Sequence, residues 1–191
     1  LNLQQIVLTN NNNLTTAQSV AIKFINYRLR SEQELKIRLL KNFDELTVKE
    51  TILKMYDLGF LDDMRFAKIF TESRVHSRPK SASFIKRELL QKGIQKETAE
   101  FAVDGIDDFE TCLVLASKKA RTLSHLPWEK FQKKMLGYLA RRGFNYSIST
   151  STIKKIWLEL LELIYLGLNV SKWGLHIYME LVPNGPLLFF R

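Results

Sequence analysis

Signals that start and stop helices recur three times along this chain of 191 residues, at a spacing near 50. Ser31 stands three residues before Glu34, ahead of Leu35 and Leu39. That is a capping box, in which each side chain satisfies a backbone N–H left free at the helix start. The helix should stop at Asn42, which tolerates a left-handed backbone, with Phe43 folding back onto the last turn. Thr47 and Glu50 repeat the box before Val48, Ile52, Met55 and Tyr56, and Gly59 ends that helix. Upstream, Ala17, Val20, Ala21, Phe24, Ile25 and Arg28 fall at helical spacing and form an earlier helix of the same unit.

The same grammar follows twice more. Asp62 and Asp63 suit an N-cap and first turn leading into Phe66, Ile69 and Phe70; Ile85 and Leu89 then run to a stop at Gly93-Ile94, and Ala99 to Val103 makes a third short helix. Asp107 and Asp108 restart it, with Phe109, Leu113, Ala116, Ala120 and Leu123 as the apolar stripe. Pro127 suits a first helical turn, Gly143-Phe144 is a stop, and Ser151 or Thr152 is the expected cap of the last helix.

Two anchor patterns measure the repeat. Arg-x-x-Ser occurs at Arg28/Ser31, Arg74/Ser77 and Arg121/Ser124, offset by 46 and 47. A basic residue, then Asn or Gly, then an apolar one occurs at Lys41-Asn42-Phe43, Lys92-Gly93-Ile94 and Arg142-Gly143-Phe144, offset by 51 and 50. Periods of this size signal stacked helical modules. The expected fold is all-α, an elongated, monomeric array of three tandem three-helix repeats over residues 17–60, 61–106 and 107–158. An N-terminal extension, 1–16, precedes them and an apolar tail, 159–191, follows. Leu160 to Leu168 can extend the last helix, but Val170 to Arg191 contains Pro183 and Pro186 and reads neither as helix nor as linker. Only 8 Gly and 4 Pro argue against loop-rich sandwiches and barrels.

The N-terminus shows no targeting pattern, and the most apolar stretch, Ile156 to Leu168, is too short to span a bilayer and holds Glu159 and Glu162. One cysteine, Cys112, allows no internal disulfide and suits a reducing, cytoplasmic setting. It lies in a helix interior without an adjacent base, the place of a buried thiol.

Chemistry that catalysis would need is missing from the pattern. No glycine-rich phosphate loop occurs, so no nucleotide cofactor is expected. His76, His125 and His176 are isolated from one another and from Cys112, so no metal is expected either. The pairs Asp62-Asp63 and Asp107-Asp108 are candidates for acid/base or magnesium chemistry, as in a nuclease. Both stand where a helix begins, however, and a carboxylate there accepts free amides and complements the helix dipole, which is the favoured reading.

The basic residues carry more information. Lys and Arg total 29 against 20 Asp and Glu, and residues 107–158 hold 10 basic and 4 acidic groups. Lys130, Lys134 and Arg141 share one helical stripe with Lys133 beside it, while Lys118 and Arg121 lie opposite the apolar stripe of the preceding helix. Such a face is either merely solvated or built for a polyanion, and the charge excess favours the second. Aromatic residues are barely interleaved with it, so base stacking on a single strand is not signalled.

Three ordered motifs resemble the RecX family of bacterial recombinase regulators. They are Tyr27-Arg28-Leu29-Arg30-Ser31-Glu32-Gln33-Glu34-Leu35, Gly59-Phe60-Leu61-Asp62-Asp63-Met64-Arg65-Phe66-Ala67, and Ile85-Lys86-Arg87-Glu88-Leu89-Leu90-Gln91-Lys92-Gly93-Ile94. The third repeat matches in outline through Leu139-Ala140-Arg141-Arg142-Gly143-Phe144, and Ser81 stands where the family usually carries glycine. The resemblance implies a non-enzymatic regulator that binds the RecA recombinase along its filament on single-stranded DNA and inhibits strand exchange and the coupled ATPase. Arg28, Ser31, Glu34, Asp62, Asp63, Phe66, Gly93 and Gly143 would be the structural positions of the motifs. Lys86, Arg87, Lys118, Arg121, Lys130, Lys133, Lys134 and Arg141 would face recombinase or DNA. The rival reading is a helical-repeat protein that binds DNA or RNA without the recombinase.

Overall fold

A computed structural model describes residues 3–165, with side chains from 12 to 162. The described residues form nine helices: α1 Leu3–Tyr27, α2 Glu32–Leu39, α3 Glu45–Asp57, α4 Asp63–Ser77, α5 Ala82–Gln91, α6 Lys96–Val103, α7 Asp108–Ala120, α8 Trp128–Ala140 and α9 Tyr146–Tyr165. They make three tandem triplets, α1–α3, α4–α6 and α7–α9. The described chain contains no strand.

Local signals place most boundaries. Ser31, Asp62 and Asp107 cap α2, α4 and α7 by accepting from Glu34 N, Arg65 N, and Phe109 and Glu110 N. Glycines at positive φ close three helices in one pattern: Phe60 N donates to Met55 O, Ile94 N to Leu89 O and Phe144 N to Leu139 O, spanning Gly59, Gly93 and Gly143.

Other boundaries differ from the expectation. α3 starts at Glu45, ahead of Thr47, because Asp44 accepts the Thr47 amide at 3.0 Å and its hydroxyl at 2.7 Å; Thr47 is the capped residue, not the cap. α9 is capped by Asn145, which accepts from Ile148 N at 2.8 Å, so Ser151 and Thr152 are helix interior. The Ser31 box is half formed, since Glu34 turns its carboxylate to Arg28 and Lys92. α1 begins well before Ala17, and α9 runs past residue 158 to Tyr165, with Leu161 buried. Residues 166–191, the remainder of the apolar tail, lie outside the described residues.

The chain divides into two compact units, one of residues up to Arg78 with Ile85–Gly105, the other of Pro79–Phe84 with residues from Ile106 onward. In the first, Ala17, Ala21 and Ile25 of α1 pack on Leu35 and Leu39 of α2 and on Val48, Ile52 and Met55 of α3, while Phe43 closes the edge as expected. Phe66, Ala67, Ile85, Leu89, Ile94 and Ala99 of the same unit are also buried. In the second, Cys112, Leu115, Ala116 and Ala120 of α7 meet Phe131, Met135 and Leu139 of α8 and Ile153, Ile156, Trp157 and Leu161 of α9. The Trp157 ring lies 4.9 Å from Phe131 and 5.3 Å from Trp128, centre to centre. Ala116, Ala120 and Leu123 of the expected stripe are buried, but Cys112 and Leu115 are buried with them, while Leu113 is only half-buried and Phe109 is exposed under the Lys155 ammonium.

Candidate functional site

Two features are candidates: a junction built twice with the same parts, and a basic face on the second unit. At the first junction, Ser31 accepts from Glu34 N at 3.2 Å while its hydroxyl donates to Lys92 O at 2.7 Å. Asp63, the first residue of α4, accepts from Glu32 N at 2.9 Å. Gly93 lies against Gln33. A free amide at the start of α2 is therefore satisfied by the following repeat, and a free carbonyl past the end of α5 by the preceding one.

The second junction repeats this with its serine and glycine 50 residues on and its aspartate 45 on. Ser81 accepts from Phe84 N at 3.2 Å, its hydroxyl donates to Gly143 O at 2.8 Å, and its amide donates to Arg142 O at 3.0 Å. Asp108 accepts from Ala82 N at 2.7 Å, and Gly143 lies against Phe84. The structural partner of Ser31 is therefore Ser81, not Ser77, which ends α4. Both second aspartates hold backbone amides, in accord with the capping reading.

The junctions differ in charge. Glu34 accepts from both guanidinium nitrogens of Arg28 at 3.1 Å and from Lys92 Nζ at 2.7 Å. Burial opposes its charge, but these hydrogen bonds outweigh it and hold the carboxyl below its ordinary value. Burial pushes the Asp63 carboxyl up instead, with the Glu32 amide partly offsetting it. At the second junction Phe84 replaces Glu34 and Arg142 replaces Lys92. The Lys80 ammonium lies 4.0 Å from the Phe84 ring centre, and the Arg142 guanidinium 4.0 Å from that of Tyr138.

Lys118 on α7, Arg121 just after it, Lys130, Lys133 and Lys134 on α8, and Arg141 just after it all belong to the second unit and are exposed. Among the described residues none of these six forms an ion pair. Lys86 and Arg87 lie on α5 in the first unit, and Lys86 is paired with Glu100 at 2.6 Å. Phe66 is buried, stacked 5.8 Å from Phe70. Sequence reasoning missed Lys119 and Tyr138: the ammonium lies 5.7 Å from the centre of the ring that also carries Arg142. They are 19 residues apart on different helices, so no single-helix wheel joins them.

The remaining candidates hold no assembled chemistry among the described residues. Cys112 is buried and burial pushes its thiol up. His76 meets the Glu72 carbonyl, His125 is exposed, and His176 lies outside the described residues. No group of three His, Cys, Asp or Glu residues is placed to hold a metal among the described residues. No described helix is long and apolar enough to cross a membrane.

Comparison with known proteins adds three findings. Residues 62–103 match the family model "RecX, second three-helix domain", and residues 106–151 match "RecX, third three-helix domain". The chain is 30% identical over 155 residues to the regulatory protein RecX of Clostridium botulinum (strain Alaska E43 / Type E3), covering 78% of this chain and 72% of that protein. It is 31% identical over 137 residues to that of Prosthecochloris aestuarii, covering 71% and 90%. The crystal structure of RecX from Lactobacillus salivarius superposes with a TM-score of 0.68 at 27% identity, over 78% of this chain and 99% of that one.

Proposed function

The chain belongs to the RecX family of regulatory proteins, which are regulators and not enzymes, and from that premise we propose that it acts by occupying the filament of a RecA-type recombinase on single-stranded DNA. The observation that carries this reading is the unpaired basic face of α7 and α8, which suits a partner presenting phosphates. The protein would work in the cytoplasm as a monomer, reaching single-stranded DNA through the filament or directly, without a cofactor. A binder that bridges neighbouring recombinase subunits resists the rearrangement that strand exchange requires. Inhibition should therefore appear below one regulator per recombinase subunit.

The test is DNA-stimulated ATPase and strand exchange by the cognate recombinase, titrated with the full chain. Falling rates of both support the reading. No effect on either, together with tight binding to naked strands, rejects it in favour of a DNA- or RNA-binding protein that acts without the recombinase.

A further inference from the structure

From the two junctions compared, we infer that Lys119, Tyr138 and Arg142 form a seat for a nucleic-acid phosphate, anchoring the end of the basic face on α8. Lys92 and Arg142 hold equivalent positions: each precedes the glycine that closes a helix, and each gives or adjoins the carbonyl taken by the capping serine. In the first unit that cation is neutralised, with Glu34 Oε1 2.7 Å from Lys92 Nζ. In the second unit the residue at the position of Glu34 is Phe84, and among the described residues no carboxylate pairs with Arg142.

A second cation adds to the imbalance. Lys119 reaches the same Tyr138 ring and is likewise without a carboxylate among the described residues. Both cations and the ring are half-buried, so they are partly stripped of water. Two like charges held on one ring repel each other, and the ring's negative face recovers only part of that cost. An anion between or beside them would remove the repulsion and gain hydrogen bonds from both heads.

The chemistry of the anion follows from what adjoins the seat. On α8, Tyr138 lies between the buried stripe of Phe131, Met135 and Leu139 and the exposed stripe of Lys130, Lys134 and Arg141. From Lys130 to Arg141 the helix rises about 17 Å. A continuous run of positive charge of that length fits a chain of repeated phosphates better than a single carboxylate on a protein partner.

The inference rests on the reading of a phosphate-bearing partner above, but its main titration needs no recombinase. The full chain is titrated with a fluorescent oligothymidylate at salt from about 50 to 200 mM, as wild type, as the double variant Lys119→Gln/Arg142→Gln, and as Phe84→Glu. The inference expects wild-type binding, and a log–log salt slope shallower by about 0.7 in the double variant, the amount for one single-strand phosphate no longer neutralised. It also expects weaker binding by Phe84→Glu, which puts a carboxylate at the position that Glu34 holds in the first junction. Circular dichroism checks the fold of each variant. If folded variants keep wild-type affinity and slope, or if the wild type fails to bind the oligonucleotide at the lowest salt, the inference is wrong. It is wrong too if the double variant loses binding only to recombinase free of DNA, which would make the ligand a protein carboxylate. If the wild type leaves strand exchange untouched while the double variant still loses slope, the filament reading fails and the phosphate seat stands.

Discussion

A β-carbon added to Gly93 would stand 2.3 Å from the β-carbon of Gln33, a residue 60 positions earlier that belongs to the preceding repeat. At Gly143 the same addition would meet Phe84 Cβ and Ser81 Oγ at 2.6 Å. These two glycines combine a positive φ with a close approach that excludes a side chain.

Gly93→Ala and Gly143→Ala should each cost roughly 2–4 kcal/mol, adding steric overlap to left-handed backbone strain. Gly59→Ala should cost only about 1–2 kcal/mol, because Gly59 shares the positive φ but has nothing within 4 Å of the added carbon. Urea unfolding of the three variants checks the difference; equal losses would show that the close approach contributes nothing.

The Asp63 carboxylate separates a hydrogen bond from a charge. Asp63→Ala leaves the Glu32 amide without its acceptor and should cost about 1–3 kcal/mol. Asp63→Asn keeps an oxygen there and should stay within about 1 kcal/mol of wild type at pH 7. Because burial raises the folded-state value, ionising Asp63 costs the wild type stability as pH climbs past the ordinary carboxyl value of about 3.9. Relative to wild type, the Asn variant should therefore fare worse below that pH than above it, as thermal melts at pH 3 and pH 7 would reveal.

Glu34 has the opposite sign. Its folded-state value is depressed, so its ion pairs are fully present above about pH 4.3 and disappear as pH falls through the depressed value. Glu34→Gln should be less stable than wild type at pH 7 and should flatten the acid limb of the stability curve. An unchanged acid limb would mean that Arg28 and Lys92 do not hold this carboxylate in solution.

Charge reversal at Lys130, Lys134 and Arg141 should weaken binding to single strands and to filaments. It should also reduce the log–log salt slope by about 0.7–0.9 for each phosphate that the face ceases to neutralise. Fluorescence anisotropy across a salt series measures both, and unchanged values with the fold intact would leave the stripe as a solvated face.

Leu161→Ala should destabilise the protein by about 2–5 kcal/mol, since this residue is 2% exposed within the core of the second unit. A chain ending at residue 158 should be weakened at least as much, and one ending at 165 should keep Leu161 packed. Calorimetry of the three tests whether the packed helix continues past 158.

Helix content, the closing glycines and most of the core are legible in the sequence because caps, stops and 3.6-residue periodicity are local. Asp44 and Asn145 do not stand out as caps because several polar residues nearby compete for the position, and only the packed place of the first apolar turn decides among them. The junctions are hidden for a different reason. Ser31 and Lys92 are 61 residues apart, and neither type advertises a partner at that range. Arg-x-x-Ser also occurs at Arg78/Ser81, 50 residues after Arg28/Ser31, so choosing Arg74/Ser77 passes over the serine that caps α5. For the basic face, charge and spacing expose α8, while the shared ring under Lys119 and Arg142 depends on how two helices pack.

The Ser–Asp–Gly junction also has a direction. An earlier repeat supplies the capping hydroxyl, and a later one supplies the aspartate, the carbonyl and the bare glycine. At the position of Gly93 and Gly143 the first repeat carries Asn42, whose side chain would obstruct a predecessor. At the position of Ser31 and Ser81 the third carries Pro127, which has no hydroxyl to offer a successor. The joint thus needs a serine on the earlier side and an aspartate and a glycine on the later one. A duplicated segment inserted at either edge would inherit a mismatched joint, whereas one inserted internally, between two matched joints, would keep every bond.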